Sequence, residues 1–501
     1  MNLKKKGNIT VGEQPIYDAT VLGAGRMATL GIQHMFAMFG STVLVPVLTG
    51  LSVSTTLLFA GIGTLLFHLI SKRKVPAFLG SSFAFLAGYA AIAPNKEPEL
   101  LPYACFGVAV AGILYLLLAA LFKAFGANRV MRYFPPVVTG PIIIAIGLNL
   151  SQSAVDNCST HWWVALVAIV IIVVCNIWGR GMVKIIPIIC GVVGSYLAAA
   201  AAGIIDFTPV AEAAWIGSPL DMNRTVFSIF TNGNTNTALL ITSVFTIVPI
   251  AFATMMEHIG DISAISSTVG QNFIKDPGLH RTLTGDGVAT AVASLFGAPA
   301  NTTYGENTGV LTLTRVYDPK VIRLAAGFAI LMSFCPKFSA IIEVMPAATM
   351  GGISLVLYGM ISAVGVRNVV ENKVDFSKSR NVIIAALILV LSIGINFSAA
   401  GNISFAIGGT TISLSGLAIG SLVGILMNAI LPGKDYDFAN EQPVDTGVEF
   451  EIVQGKTLTE ESVERYGSPV MAAVNSALSD KEITSELSKD MTSEKEATSN
   501  N

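Results

Sequence analysis

Ala298-Pro299-Ala300-Asn301-Thr302-Thr303-Tyr304-Gly305-Glu306-Asn307-Thr308-Gly309 is a polar, proline-led, glycine-bearing stretch set between two apolar runs. Its flanks put it at membrane depth, where unwound backbone survives only if it is buried in protein or lines a cavity. A stretch of the same character, Pro76-Ala77-Phe78-Leu79-Gly80-Ser81-Ser82-Phe83-Ala84-Phe85, lies in the first half of the chain. Each occupies the third apolar segment of its half. Interrupted spans at corresponding places in two halves point to a transporter binding site. Two ordinary kinked helices are the plainer alternative.

Outward from these stretches, segments of roughly 20 mostly apolar residues, enough to cross a bilayer, recur along the chain. They lie near 27–48, 54–71, 76–93, 103–122, 135–152, 162–178 and 185–205, and then near 239–267, 282–297, 299–315, 321–336, 345–366, 379–396 and 412–432. The expected fold is an all-α polytopic membrane protein of fourteen transmembrane segments. Charge placement agrees with the count: seventeen internal Lys and Arg, from Lys72, Arg73 and Lys74 through to Arg380, stand against external Lys96, Arg224 and Lys337. That positive-inside bias puts both termini in the cytoplasm. An odd number of spans per half forces the halves into opposite orientation, as two inverted repeats.

The division is then 1–26 as a cytoplasmic N-terminal segment, 27–205 as the first repeat, 206–238 as an external linker, 239–432 as the second repeat and 433–501 as a cytoplasmic tail. The tail is rich in Glu, Ser, Thr and Lys and reads as disordered. Of the 501 residues 52% are hydrophobic and 12% charged, about half the charge of a soluble domain. A mean hydropathy of +0.67 fits many spans rather than a large soluble core. The five cysteines show no ligand spacing, and Lys4, Lys5 and Lys6 precede a polar stretch rather than the apolar core of a cleavable signal.

Ionisable groups inside spans are costly and call for a reason. Met255-Met256-Glu257-His258-Ile259-Gly260-Asp261 holds the densest set, and Glu257 and Asp261, four apart, share a helix face. A helix end whose acids reach cytoplasmic water is the alternative. His258 projects elsewhere, for packing or a local hydrogen bond as readily as for proton transfer. Carboxylates accept from N–H groups, and amides freed at half-helix N-termini donate to carbonyls. A nucleobase suits that chemistry, and so do other small polar solutes. A membrane-embedded enzyme would need a nucleophile–base set or metal cluster, and His34, His68, His161, His258 and His280 show no such spacing. An anion carrier would be opposed by two site carboxylates. No cofactor, metal or nucleic-acid partner is expected.

Glu306-Asn307-Thr308-Gly309 followed by Thr314-Arg315 resembles the signature of the nucleobase–ascorbate transporter family, [Q/E/P]-N-x-G-x4-T-[R/K/G], at all of its positions. Gln33-His34, Gly80 to Phe85, Glu257 to Gly260 and Gly365-Val366-Arg367-Asn368 are similar to the family as well, over roughly 27–432. The resemblance implies a core and a gate domain, short strands in segments 3 and 10, a homodimer and a bacterial cytoplasmic (inner) membrane setting. It implies that Glu257 and Glu306 hold the base, that Phe83 and Gly305 offer backbone amides, that Tyr304 and Ala37 line the pocket, and that Tyr358 faces it from the gate. Glutamate rather than glutamine at position 306 tilts the expected substrate toward uracil, with xanthine or urate as the alternative. Glu257 and Asp261 are the expected proton-coupling pair. Some uracil carriers have histidine where this chain has Asp261.

Overall fold

The computed structural model describes residues 11–433, apart from 181–182, 184–185, 232–234 and 408–409. The expected tail falls outside the described residues except for its first position. The first half runs α1 (Ala24–Thr49), α2 (Val53–Ile70), β1 (Leu79–Ser81), α3 (Leu86–Ile92), α4 (Leu101–Phe125), α5 (Pro136–Ser159), α6 (Trp162–Ile177) and α7 (Pro187–Ala201). The second runs α8 (Thr237–Ile247), α9 (Ala251–Val269), α10 (Leu279–Leu295), β2 (Asn301–Thr303), α11 (Gly305–Thr314), α12 (Pro319–Ser333), α13 (Pro336–Glu343), α14 (Ala347–Glu371), α15 (Ser379–Asn396), β3 (Asn402–Ile407), β4 (Thr410–Ser415) and α16 (Gly416–Ile430).

Among the described residues, seven helices are long and apolar enough to cross a membrane, counting α8 with α9 as one, or eight if the bent pair α12–α13 is a single span. This is a multi-pass membrane protein. Its outer face carries exposed apolar side chains such as Leu117, Leu166, Ile177, Leu331 and Val390, as a surface solvated by lipid does.

Several boundaries differ from the sequence expectation, each for a local reason. The span expected at 239–267 divides at a 3-10 turn, Val248–Ile250. Pro249 lacks the amide that would continue the α-helical ladder there. The span expected at 321–336 ends at Ser333 and turns by 86° into α13, which opens on Pro336. The span expected from 412 begins at Gly416, because Thr410 to Ser415 pair with Asn402 to Ile407 in an antiparallel hairpin. Ser415 then caps α16 by accepting from the Ala418 amide at 3.3 Å. The fold is therefore not all-α, and this hairpin was not expected.

β1 and β2 form an antiparallel pair in the register Leu79↔Thr303, Gly80↔Thr302, Ser81↔Asn301, which joins the two halves of the chain at its centre. All six residues are buried, and several of their polar atoms are met from neighbouring helices. The Leu79 amide donates to Thr64 Oγ1 at 2.9 Å, Ser81 Oγ to Thr42 O at 3.0 Å and Asn301 Nδ2 to Phe59 O at 2.8 Å. His68 donates through Nε2 to Ala77 O at 2.9 Å. In a lipid-solvated interior each such group left unmet costs several kcal/mol, so this ring of bonds permits strands at this depth.

Residues 11–22 of the N-terminal segment are also structured. Ile16 bonds the 315–317 turn on both sides, through its amide to Arg315 O and its carbonyl to the Tyr317 amide, each at 2.8 Å. Tyr17 Oη donates to Val269 O at 2.8 Å, at the last residue of α9. Residues 11–22 thus strap together the ends of α9 and α11.

Candidate functional site

Each strand of the pair leads into a helix, β1 into α3 and β2 into α11. The ladder releases at Ser82, whose amide reaches Ala300 O at 2.9 Å, and bonding resumes at Leu86, which donates to Phe83 O at 3.1 Å. On the other side β2 passes through Tyr304 into α11. Gly305 is exposed, although Asn301 to Tyr304 before it and Asn307 after it are buried. Here the interior opens. Gly305 opens α11 with no side-chain cap, so the first amides of the helix lie outside its own ladder, an arrangement suited to acceptor groups of a small solute.

α9 brings the acids alongside. Glu257 and Asp261 are both half-buried, one turn apart, and Thr303 Oγ1 lies 3.2 Å from Asp261 Oδ2. A Cβ built on Gly305 would sit 3.6 Å from Asp261 Oδ1, so Asp261 borders the start of α11 rather than a helix end in open water. Tyr304 is buried, and its hydroxyl donates to Ser81 O at 2.7 Å, fixing the ring across the strand pair. Phe83 and Tyr358 meet edge to face with ring centroids 5.5 Å apart, joining the β1 side to α14. Ala37 is buried in α1. Glu306 is the second residue of α11. The structure thus brings Glu257, Asp261, Thr303, Tyr304 and Gly305 to one place, with the Phe83–Tyr358 contact where β1 and α14 meet.

Two features went unread in the sequence. Asp286 of α10 is fully buried, and its Oδ2 lies 3.3 Å from Nδ1 of the equally buried His258. That is ion-pair distance without good hydrogen-bond alignment. Thr303 Oγ1 lies 3.3 Å from the same His258 nitrogen, so Asp286, His258, Thr303 and Asp261 form a continuous polar chain from the interior to the opening. The available signal was an acid inside an apolar segment, flanked by Gly285 and Gly287. The second feature is a clasp. Asn307 Nδ2 donates to His34 O at 3.0 Å and reaches His34 Nδ1 at 3.1 Å, tying α11 to α1.

Among the described residues no group of three His, Cys, Asp or Glu could hold a metal ion. The fold and this site define a multi-pass membrane permease, with helices broken around a buried polar centre. The model of a family described as the Permease family matches residues 25–401, and the chain belongs to this nucleobase–ascorbate transporter family. It is 41% identical over 463 residues to the uracil permease of Bacillus subtilis (strain 168), covering 90% of this chain and 100% of that protein. It is 42% identical over 420 residues to the uracil permease of Bacillus caldolyticus, covering 82% and 93%. Among solved structures it is similar to the transmembrane domain of a cyanobacterium bicarbonate transporter, BicA, with a TM-score of 0.52 at 13% identity, over 83% of this chain and 99% of that one. That likeness concerns the fold alone.

Proposed function

We propose that this protein takes up uracil with protons across a bacterial cytoplasmic membrane, by alternating access of a core domain against a gate. The observation that carries the reading is the exposed start of α11 at Gly305, which lies beside the half-buried Asp261. Uracil carries two N–H donors and two carbonyl acceptors on one small ring. Glu257 and Glu306 would accept from the donors, and the amides of Phe83 and Gly305 would donate to the carbonyls. Tyr304, Ala37 and Tyr358 would line the pocket. Similarity to uracil permeases supports uracil over a purine base.

Protons enter through the acids. Two carboxylates at one small site of low dielectric resist ionising together, so a proton stabilises the loaded state. Glu257 is the proposed carrier, with Asp261 as its partner. Fourteen segments in two inverted repeats, with the strands inside the third and tenth, would supply the two bodies that move; the antiparallel register of β1 with β2 supports that reading. Both termini would be cytoplasmic, and a homodimer is proposed from the family. In vesicles, labelled uracil should accumulate and be displaced by excess unlabelled uracil but not by xanthine. Displacement by xanthine at equal concentration would transfer the assignment to a xanthine carrier.

A further inference from the structure

Asp318 is a buried acid that the proposed chemistry does not use, and what it grips is the N-terminal strap. Its Oδ2 accepts from the Ala19 amide at 2.8 Å, while its Oδ1 caps α12 by accepting from the Lys320 amide at 2.9 Å. Lys320 Nζ closes the same corner on Asp18 at 3.0 Å. Earlier in the strap, the Gly12 amide donates to Thr314 O at 2.9 Å, and Arg315 Nη1 donates to Glu13 O at 3.0 Å. Ile16, Ala19 and Leu22 form a buried apolar cluster with Leu30 of α1, Val316 and Val321. The strap is therefore packed as well as hydrogen-bonded against the end of α11.

That helix has need of such a hold. It has ten residues, about 15 Å, too few to be stable alone. Gly305, Gly309 and Leu313, four apart on one face, are exposed, and a Cβ on Gly309 would meet nothing within 4 Å. The helix packs on α1 and α9. It ends on Arg315, which takes a left-handed conformation with φ of 53°, rare for a residue other than glycine. Such a conformation persists where the surroundings fix it. Here the Ile16 amide holds the Arg315 carbonyl and Glu13 O holds its guanidinium. Beside them Tyr17 Oη holds Val269 O, about two turns along α9 from Asp261.

The strap thus fixes the spacing of α9 and α11 at one end, and at the other end of α11 Gly305 stands beside Asp261. We propose that Ile16, and Asp318 through its grip on Ala19, are positioning residues for the substrate: they set where the start of α11 stands relative to the acids of α9. This rests on the reading that Glu257, Glu306 and the Gly305 amide hold uracil. Neither positioning residue touches the substrate. Freeing one end of so short a helix displaces the other, and a displacement of about 1 Å is enough to spoil a binding geometry.

Hydrogen exchange of the full chain in lipid nanodiscs, with uracil uptake by the same variants in proteoliposomes, tests this. Ile16→Asp puts a charge into the apolar cluster and should release the strap. The amides of α11 should then exchange roughly tenfold faster than in wild type, with those of α14 unchanged. The KM for uracil should rise about tenfold while kcat stays within about twofold. Asp318→Asn keeps the size but offers one acceptor oxygen to two amides, so it should move both measurements in the same direction. Ile16→Val, which keeps the cluster apolar, should match wild type in both. If Ile16→Asp does not fold, Asp318→Asn decides. Unchanged exchange in α11 overturns the proposal whatever the substrate is. Faster exchange with an unchanged KM overturns the positioning role, and so does a fall in kcat at constant KM. A wild type that takes up no uracil would instead refute the uracil reading, and the exchange measurement would still decide whether the strap holds α11.

Discussion

Asp286 and His258 show what one buried pair demands of its surroundings. Both side chains are wholly removed from solvent, and the pair spans α10 and α9, so each partly offsets the other's desolvation. Removing one partner leaves an uncompensated group, at a cost of about 3–5 kcal/mol. His258→Leu should therefore lower the melting temperature in detergent markedly. Asp286→Asn, which keeps shape and hydrogen-bonding capacity, should cost about 1–3 kcal/mol. A wild-type melting curve for His258→Leu would show that the contact carries no stability. Glu306 concerns binding instead: Glu306→Gln keeps shape and loses the charged acceptor, so uracil affinity should fall at least about tenfold in a folded protein. Unchanged affinity by calorimetry would remove Glu306 from the site. Glu257 and Asp261 were legible because two acids four apart inside a span cannot be explained by packing alone. Asp286 was not, since its partner lies on another helix and one acid between two glycines gives no periodic signal.

At the scale of elements, the strand pair is the most demanding part of the structure, and Gly80 is its tightest point. A Cβ there would lie 2.5 Å from the Tyr304 ring and 2.6 Å from Thr42 Oγ1. Neither neighbour can withdraw freely, because Tyr304 is anchored on Ser81 O and Thr42 belongs to α1. Gly80→Ala should cost about 1–3 kcal/mol through overpacking and displace Tyr304. Uracil uptake should fall while the protein remains in the membrane. Gly327→Ala on α12, where a Cβ meets nothing within 4 Å, is the control and should leave uptake unchanged. Equal uptake in the two variants would show that the strand pair tolerates displacement. The interruptions at 76–85 and 298–309 were legible in the sequence because proline, glycine and hydroxyl residues gathered inside apolar flanks. The hairpin of β3 and β4 was not. Its residues lie next to an apolar run: Ile412 to Ser415 fall inside the span expected at 412–432, and Asn402 to Ile407 in the connection before it. Likewise Pro249 lies within a continuous apolar segment, and its break becomes visible only in the backbone.

For the whole molecule, the sequence carried its solvent more clearly than its span boundaries, and strands in segments 3 and 10 were expected only from the family resemblance. Apolar segments and cation placement report on the bilayer one residue at a time, whereas the meeting of β1 with β2 joins positions far apart in the chain. Under the proposed mechanism coupling would depend on that meeting, because Thr303 of β2 joins Asp261 of α9 to the buried His258–Asp286 pair. Under that mechanism a proton gained or lost at Asp261 would be felt at the junction of the halves, where alternating access would turn. Asp261→Asn keeps the size and much of the hydrogen bonding but removes the titratable charge. Recognition should survive this change and coupling should not. In proteoliposomes, wild type should concentrate labelled uracil under an inward proton gradient and lose it on addition of a protonophore. The variant should exchange labelled for unlabelled uracil at a rate near wild type, yet accumulate it several-fold less under the same gradient. Loss of exchange along with accumulation would place Asp261 in substrate binding. Wild-type behaviour in both would leave the proton to Glu257, and accumulation that follows sodium with no response to pH would overturn proton coupling altogether.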